Sequence, residues 1–405
     1  MNHQPPKPAG NHSFALGVLT TLFFMMGFIT CMNDILIPHL KGIFNLTYTQ
    51  AMLVQFCFFA AYFVMSVPMG RLVEKIGYQN GVVGGFLIAA AGCLLFYPAA
   101  GSHSYPVFLG ALFVLASGIV LLQVAGNPYV TLLAKPGKES TTLTLVQAFN
   151  SLATMIAPPL GAVLIFVDAS AGGAERAASV QIPYLGLAGF LLLLAATVKM
   201  LRLPDVREPA ARETGQSRDG KNSVWQYRHM VFGTLAIFCY VGAEVAIGSL
   251  MINVLEEAAG VDHRSGALYL SVYWGGAMAG RFIGSALMNK IAPNRYLAFH
   301  AVAAAVLVSL AIAAGGGQVT MWSLLLVGLF NSIMFPTIFS LATQGLGRFT
   351  GQASGIICTA IVGGAVVPVV QGLAADRFGL LVSFAVPVVC YLYILFFGLK
   401  GYRAR

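Results

Sequence analysis

The residues with the most chemical potential are amides and isolated acids in otherwise apolar surroundings. Gln123 and Asn127 stand four apart, and Gln147 and Asn150 three apart, so on helices each pair shares one face. An amide both donates and accepts hydrogen bonds, as a hydroxyl group does. Asp34 follows Asn33 at the end of twenty residues that carry no formal charge, and Glu244 interrupts a second apolar stretch. A carboxylate so placed in a bilayer loses hydration at a cost that begins at roughly 2.5 kcal/mol, so something must compensate for it. Asn331 and Gln371 add amides further along, and Tyr273 and Trp274 are candidates to stack on the apolar face of a sugar ring. The plainer role for one amide is an interhelical hydrogen bond, worth about 0.6 kcal/mol in a membrane, and for one acid a helix end reaching the headgroups. Several amides with a carboxylate around an aqueous cleft instead suit a polyhydroxylated solute or an ion.

The elements that must position these residues follow from composition. The chain of 405 residues is 58% hydrophobic and 9% charged, with a mean hydropathy of +0.80. So little charge cannot clothe a soluble globule of this size. Apolar runs of about 20 residues recur, the length a helix needs to cross a ~30 Å hydrocarbon core. Twelve helices are predicted, over 14–40, 50–70, 81–100, 105–134, 141–167, 181–202, 229–255, 265–289, 295–314, 319–345, 350–375 and 379–400. Gly101-Ser102-His103-Ser104 and Gly315-Gly316-Gly317-Gln318 break long uncharged regions into two crossings each. The fold class is therefore an all-α integral membrane protein. The polar start, Met1 to Ser13, and the long first apolar run predict no cleavable signal.

Alternate gaps between these helices collect the cations. With the amino terminus in the cytoplasm, 19 of the 23 Lys and Arg residues fall on that side, Arg281 included, and only Lys41, Arg176, Arg264 and Arg377 on the other. This positive-inside bias puts both termini in the cytoplasm. The longest polar segment divides residues 1–202, an N-terminal six-helix bundle, from 229–405, a C-terminal one, with 203–228 as a cytoplasmic linker. Gly70-Arg71 recurs as Gly280-Arg281, and Ala157-Pro158 as Val367-Pro368, each at an offset of 210 residues. Such duplication places a transporter's site at the interface of its halves. Asn127-Pro128 and Phe335-Pro336 are expected to interrupt the fourth and tenth helices, freeing carbonyls and allowing bends.

Other classes are disfavoured. The net charge of +9 forms no basic patch with interleaved aromatics, so nucleic acid is not an expected partner. No GxxxxGK[ST] is present, which argues against ATP-driven transport, and no Ser/His/Asp arrangement suggests an enzyme. The six cysteines lie in apolar segments without CxxC spacing, as small packing residues do.

Five segments carry a family resemblance: Asn33 to Leu40, Ala125 to Thr131, Gln147 to Ser151, Tyr240 to Val245 and Met334 to Ser340. Over essentially its whole length the chain resembles the major facilitator superfamily, in particular the fucose permease-like family and its bacterial glucose/galactose transporter branch. The loop from Gly70 to Gly77 resembles the superfamily's GxxxDRxG signature, with Glu74-Lys75 in place of the acid and base and Tyr78-Gln79 where a basic pair is expected.

The resemblance implies two pseudo-symmetric six-helix bundles and secondary active uptake of a hexose by alternating access, across a bacterial cytoplasmic membrane. Asp34 matches an aspartate that matters for sugar recognition and proton coupling, Gln123 stands where the fucose permease has a glutamate, and Gln147 and Asn150 match sugar-site amides. An amide does not titrate in the physiological range, so Na+ is favoured over H+ as coupling ion, with Asp34 and amide oxygens as hard ligands. Substrate contacts are then expected from Asn33, Asp34, Gln123, Asn127, Gln147, Asn150, Glu244, Tyr273, Trp274 and Asn331. Conformational roles fall to Gly70, Arg71, Glu74, Lys75, Gly280, Arg281, Pro128 and Pro336. No cofactor beyond the coupling ion is expected, and a lipid-embedded monomer is. Competing readings are an N-acetylglucosamine or H+-coupled symporter, a passive facilitator, a multidrug efflux antiporter and a non-transporting sugar sensor.

Overall fold

The computed structural model describes residues 12–44, 48–102, 104–165, 181–201, 203–204, 222–261 and 263–403. Side chains at 12–13, 31–44, 48–55, 102, 158–165, 258–259 and 263–267 lie outside that description. Twelve helical spans follow one another: α1 (His12–Phe44), α2 (Tyr48–Ile76), α3 (Tyr78–Ser102), α4 (Tyr105–Leu133), α5 (Glu139–Ile165) and α6 (Gln181–Met200). Then come α7 (Arg228–Ala259), α8 (His263–Leu287), α9 (Pro293–Ala314), α10 (Gly317–Ala342), α11 (Gly347–Phe378) and α12 (Leu380–Gly401). Among the described residues nine of these are long and apolar enough to cross a membrane.

Helix ends obey local chemistry. Between α9 and α10, Gly315, Gly316 and Gly317 all take positive φ, at 68°, 142° and 75°, a conformation that favours glycine. After α2 the positions where a basic pair was expected are used differently. Gln79 Nε2 donates to Val198 O at 2.8 Å and Leu201 O at 2.6 Å, closing the carbonyl end of α6, while Tyr78 stacks on Tyr129 with ring centroids 5.8 Å apart.

Packing repeats between the halves. In the first, α3 packs on α4 and α6, α1 on α5, and α2 on α4; in the second, α9 packs on α10 and α12, α7 on α11, and α8 on α10. Each pair recurs six helices later, as duplication requires. The halves meet through α2 against α11 and α5 against α8, a pairing related by the same shift.

Polar contacts seal this junction on the side where α6 ends and α7 begins, here called the linker side. Lys138 Nζ donates to Asn289 O at 2.9 Å, the Gln352 N–H donates to Glu74 Oε1 at 2.9 Å, and Ser140 and Ser340 share a hydrogen bond. Gly70 lets α2 and α11 touch: a Cβ there would lie 2.9 Å from Gly351 O and 3.1 Å from Gly355 Cα.

The two proline motifs behave differently from each other. Pro336 accompanies the expected break, since α10 is helical over Gly317–Asn331 and again over Met334–Ala342, with a turn between. Pro128 does not interrupt α4, which runs unbroken from Tyr105 to Leu133. A proline at position i leaves the carbonyl at i−4 without its helical donor. In α4 that carbonyl is Val124 O, and it accepts the Ser354 hydroxyl from α11 at 2.8 Å. An interhelical bond thus replaces the missing one and the helix continues.

Candidate solute site between the two halves

On α5, Ser140, Thr144, Gln147 and Ser151 recur at helical spacing and form one stripe. Its ends fix its direction, because Ser140 bonds Ser340 and Ser151 accepts from Arg281 Nη1, both in the second half. Gln147 Nε2 donates to Asn127 Oδ1 at 3.3 Å, which joins the two amide pairs. Gln123 Oε1 and Asn127 Nδ2, one turn apart on α4, are buried without a protein hydrogen-bond partner among the described residues. Asn150, half-buried, donates to Phe23 O of α1 at 2.8 Å. Asn33 and Asp34 belong to α1, but their side chains fall outside the described residues. The helix extends ten residues past Asp34, about 15 Å at 1.5 Å per residue, four residues beyond the expected end at 40.

Facing this stripe, the second half presents Glu244 and Arg281. Glu244 Oε1 accepts the Tyr240 hydroxyl at 2.7 Å, and the Arg281 guanidinium lies within electrostatic reach of the carboxylate. Beneath them runs a buried relay in which Tyr391 donates to Asn331 Oδ1 at 2.8 Å and Asn331 Nδ2 donates to the Tyr273 hydroxyl at 2.8 Å. Tyr273 is wholly buried, so it has no free face for stacking on a ring. Trp274 is 41% exposed, lies against Gly248 one turn beyond Glu244, and stands two turns from Arg281 on the same face of α8. Asn331 is wholly buried and engaged by Tyr273 and Tyr391, which makes it a support for its neighbours, whereas Asn127, equally buried, keeps its Nδ2 unpartnered among the described residues. Gln371 lies apart and ties α11 to α12 through Ser383 at 3.4 Å.

The residues expected to move divide in the same way. Gly70 and Glu74 lie in the linker-side contact, while Lys75 is exposed. Arg71 lines an apolar cavity of about 300 Å³ with Trp225, Gln352 and Thr359, and none of Gln123, Asn127, Gln147 and Asn150 lines it. Gly280 packs within its own half, against Ser332 and Leu329. The repeat Gly70-Arg71 and Gly280-Arg281 is therefore not one of equivalent contacts, and Arg281, expected near a helix end, reaches inward to the site. Tyr240, Ser151 and Tyr391 were not singled out. The four-residue spacing of Tyr240 and Glu244 was a readable signal for the first; nothing local marks Tyr391.

Residues 18–368 match the family model described as Major Facilitator Superfamily. The chain belongs to the major facilitator superfamily. It is thus a multi-pass membrane transport protein rather than an enzyme. Within that family it is 56% identical to a putative glucose/galactose transporter of Helicobacter pylori, over 97% of this chain and 98% of that one. The glucose/galactose transporter of Brucella abortus is 53% identical, over 99% and 97%. The L-fucose-proton symporter of Escherichia coli is 34% identical, over 97% and 94%. Among solved structures, the major facilitator superfamily transporter FucP in the outward conformation superposes with a TM-score of 0.86 at 32% identity, covering 96% of this chain and 98% of that one.

Proposed function

We propose that this superfamily member is a sugar transporter that takes up glucose or galactose with a cation by alternating access between its two halves. The observation that carries the reading is the pair of unpartnered amide atoms on α4. Gln123 Oε1 is a spare acceptor and Asn127 Nδ2 a spare donor, one turn apart and beside Gln147. A sugar hydroxyl satisfies both kinds of group at once. Across the interface Glu244 and Arg281 supply a second acceptor and donor set, and Trp274 an apolar face for the ring. The names of the relatives from H. pylori and B. abortus support glucose and galactose as substrates.

Asp34 is the cation-binding carboxylate of the first half in this proposal. Sodium is the reading that Gln123 favours, because that amide adds an oxygen ligand and no titrating group. Proton coupling is the second reading, favoured by relatives named proton symporters. The linker side is the cytoplasm, both termini lie there, and the bacterial inner membrane is the location. Residues 1–202 and 229–405 are the rocking bodies joined by 203–228. The closed linker-side contacts then belong to an outward-facing state.

Uptake of labelled glucose into vesicles, under separately imposed Na+ and H+ gradients, tests the coupling. Accumulation driven by protons alone would sink the sodium reading, and accumulation driven by neither would sink symport. Counterflow with glucose, galactose, mannose, fucose and N-acetylglucosamine as competitors tests the substrate. Failure of glucose and galactose to compete would overturn the assignment.

A further inference from the structure

The carbonyl that Pro336 leaves free is Ser332 O, and Arg281 Nε donates to it at 3.1 Å. The same guanidinium sends Nη1 across the interface to Ser151. We infer that Pro336 is a positioning residue for Arg281: by withholding its N–H it hands Ser332 O to the guanidinium, which is thereby held between Glu244 and the α5 stripe.

Several features bear on this. An arginine has five donors in a planar fork, and fixing Nε leaves the Nη groups aimed in one direction. Arg281 is half-buried on α8 with Gly280 pressed against Ser332, so the two helices are close enough for a short, fixed reach. Were residue 336 an ordinary helix former, its N–H would compete for Ser332 O and α10 would close over the turn at Ser332 and Ile333. The guanidinium would then keep only its bond to Ser151, which must part when the halves separate. In the other half the same device recurs independently, with Pro128 releasing Val124 O to Ser354. The role also explains why the two prolines have opposite effects on their helices. Val124 O is satisfied by a hydroxyl that fits beside a continuous helix, whereas Ser332 O turns out toward a longer side chain.

The proposal rests on the transport reading only for its uptake readout. The direct test is the rate at which phenylglyoxal modifies Arg281 in the full-length purified protein, followed by peptide mass spectrometry with Arg348 as internal control. Pro336→Ala is expected to speed modification of Arg281 about tenfold, the factor that corresponds to losing one hydrogen bond to a charged group, and to raise the glucose KM. An unchanged rate at Arg281 overturns the inference, whatever happens to uptake. Faster modification with unchanged glucose and galactose transport keeps the positioning role and overturns Arg281 as part of the solute site. Ser151→Ala gives a second arm that leaves α10 untouched. Arg281 should then be modified more slowly than in Pro336→Ala because Ser332 O still holds its Nε; a rise as large as that from Pro336→Ala would mean Ser151 is the principal anchor and refute the assignment.

Discussion

Ser354→Ala is the perturbation whose size the structure lets one work out most directly. The Ser354 hydroxyl donates to Val124 O at 2.8 Å across the junction of the halves, and that carbonyl lacks a helical donor because residue 128 is proline. Removing the hydroxyl leaves a buried acceptor unsatisfied while the linker side is closed, a penalty of about 1–3 kcal/mol. Opening the linker side admits water to Val124 O and removes the penalty, so it falls on the closed state alone. The equilibrium should therefore move toward the open state by about 5- to 150-fold. A thiol placed by Thr144→Cys reports this. Thr144 is wholly buried on the α5 stripe one turn from Ser140, and its hydroxyl has no protein partner among the described residues to lose. Maleimide labelling at that position should rise with the open population. In a Pro128→Ala background, the restored N–H takes Val124 O in both states, and Ser354→Ala should then change labelling by less than about twofold. Equal effects of Ser354→Ala with and without Pro128 would refute the reasoning, since the hydroxyl would then be acting through something other than the released carbonyl.

Three further outcomes follow from named contacts. Asp34→Asn should abolish accumulation against a gradient while the protein keeps its melting temperature in detergent; retained accumulation would remove Asp34 from the coupling role. Gly70→Val should hold the linker side open, because even a Cβ would approach Gly351 O to 2.9 Å, and Thr144→Cys labelling in that background should become fast and insensitive to sugar. Gln79→Ala deletes two hydrogen bonds to the end of α6, so thermal unfolding in detergent should show a loss of about 1–3 kcal/mol, summed from 0.5–1.5 per bond; no change would mean water caps those carbonyls equally well.

Much of this protein was legible in its sequence because the governing rules are local. Bilayer thickness sets helix length, and the twelve observed spans begin and end within a few residues of the expected ones, apart from longer ends on α1, α2 and α7. Helical period also put Gln123 with Asn127 and Gln147 with Asn150, and the three-dimensional structure adds the bond that joins the two pairs. A motif read as a helix interruption at Pro128 was misleading for a reason no single helix contains: its freed carbonyl is taken by Ser354, 230 residues away in the chain. Likewise, Arg281 reads in one dimension as a partner of Arg71 near a helix end. Only helix crossing decides that one lines an apolar cavity and the other bonds Ser151 within electrostatic reach of Glu244. The linear order of residues therefore determined the membrane class, the helices and the faces on which the amides lie, since these depend on spacing along one chain. Tertiary structure alone decided which cation comes within electrostatic reach of which carboxylate and which released carbonyl meets which donor, since those depend on the angle and depth at which separate helices pack.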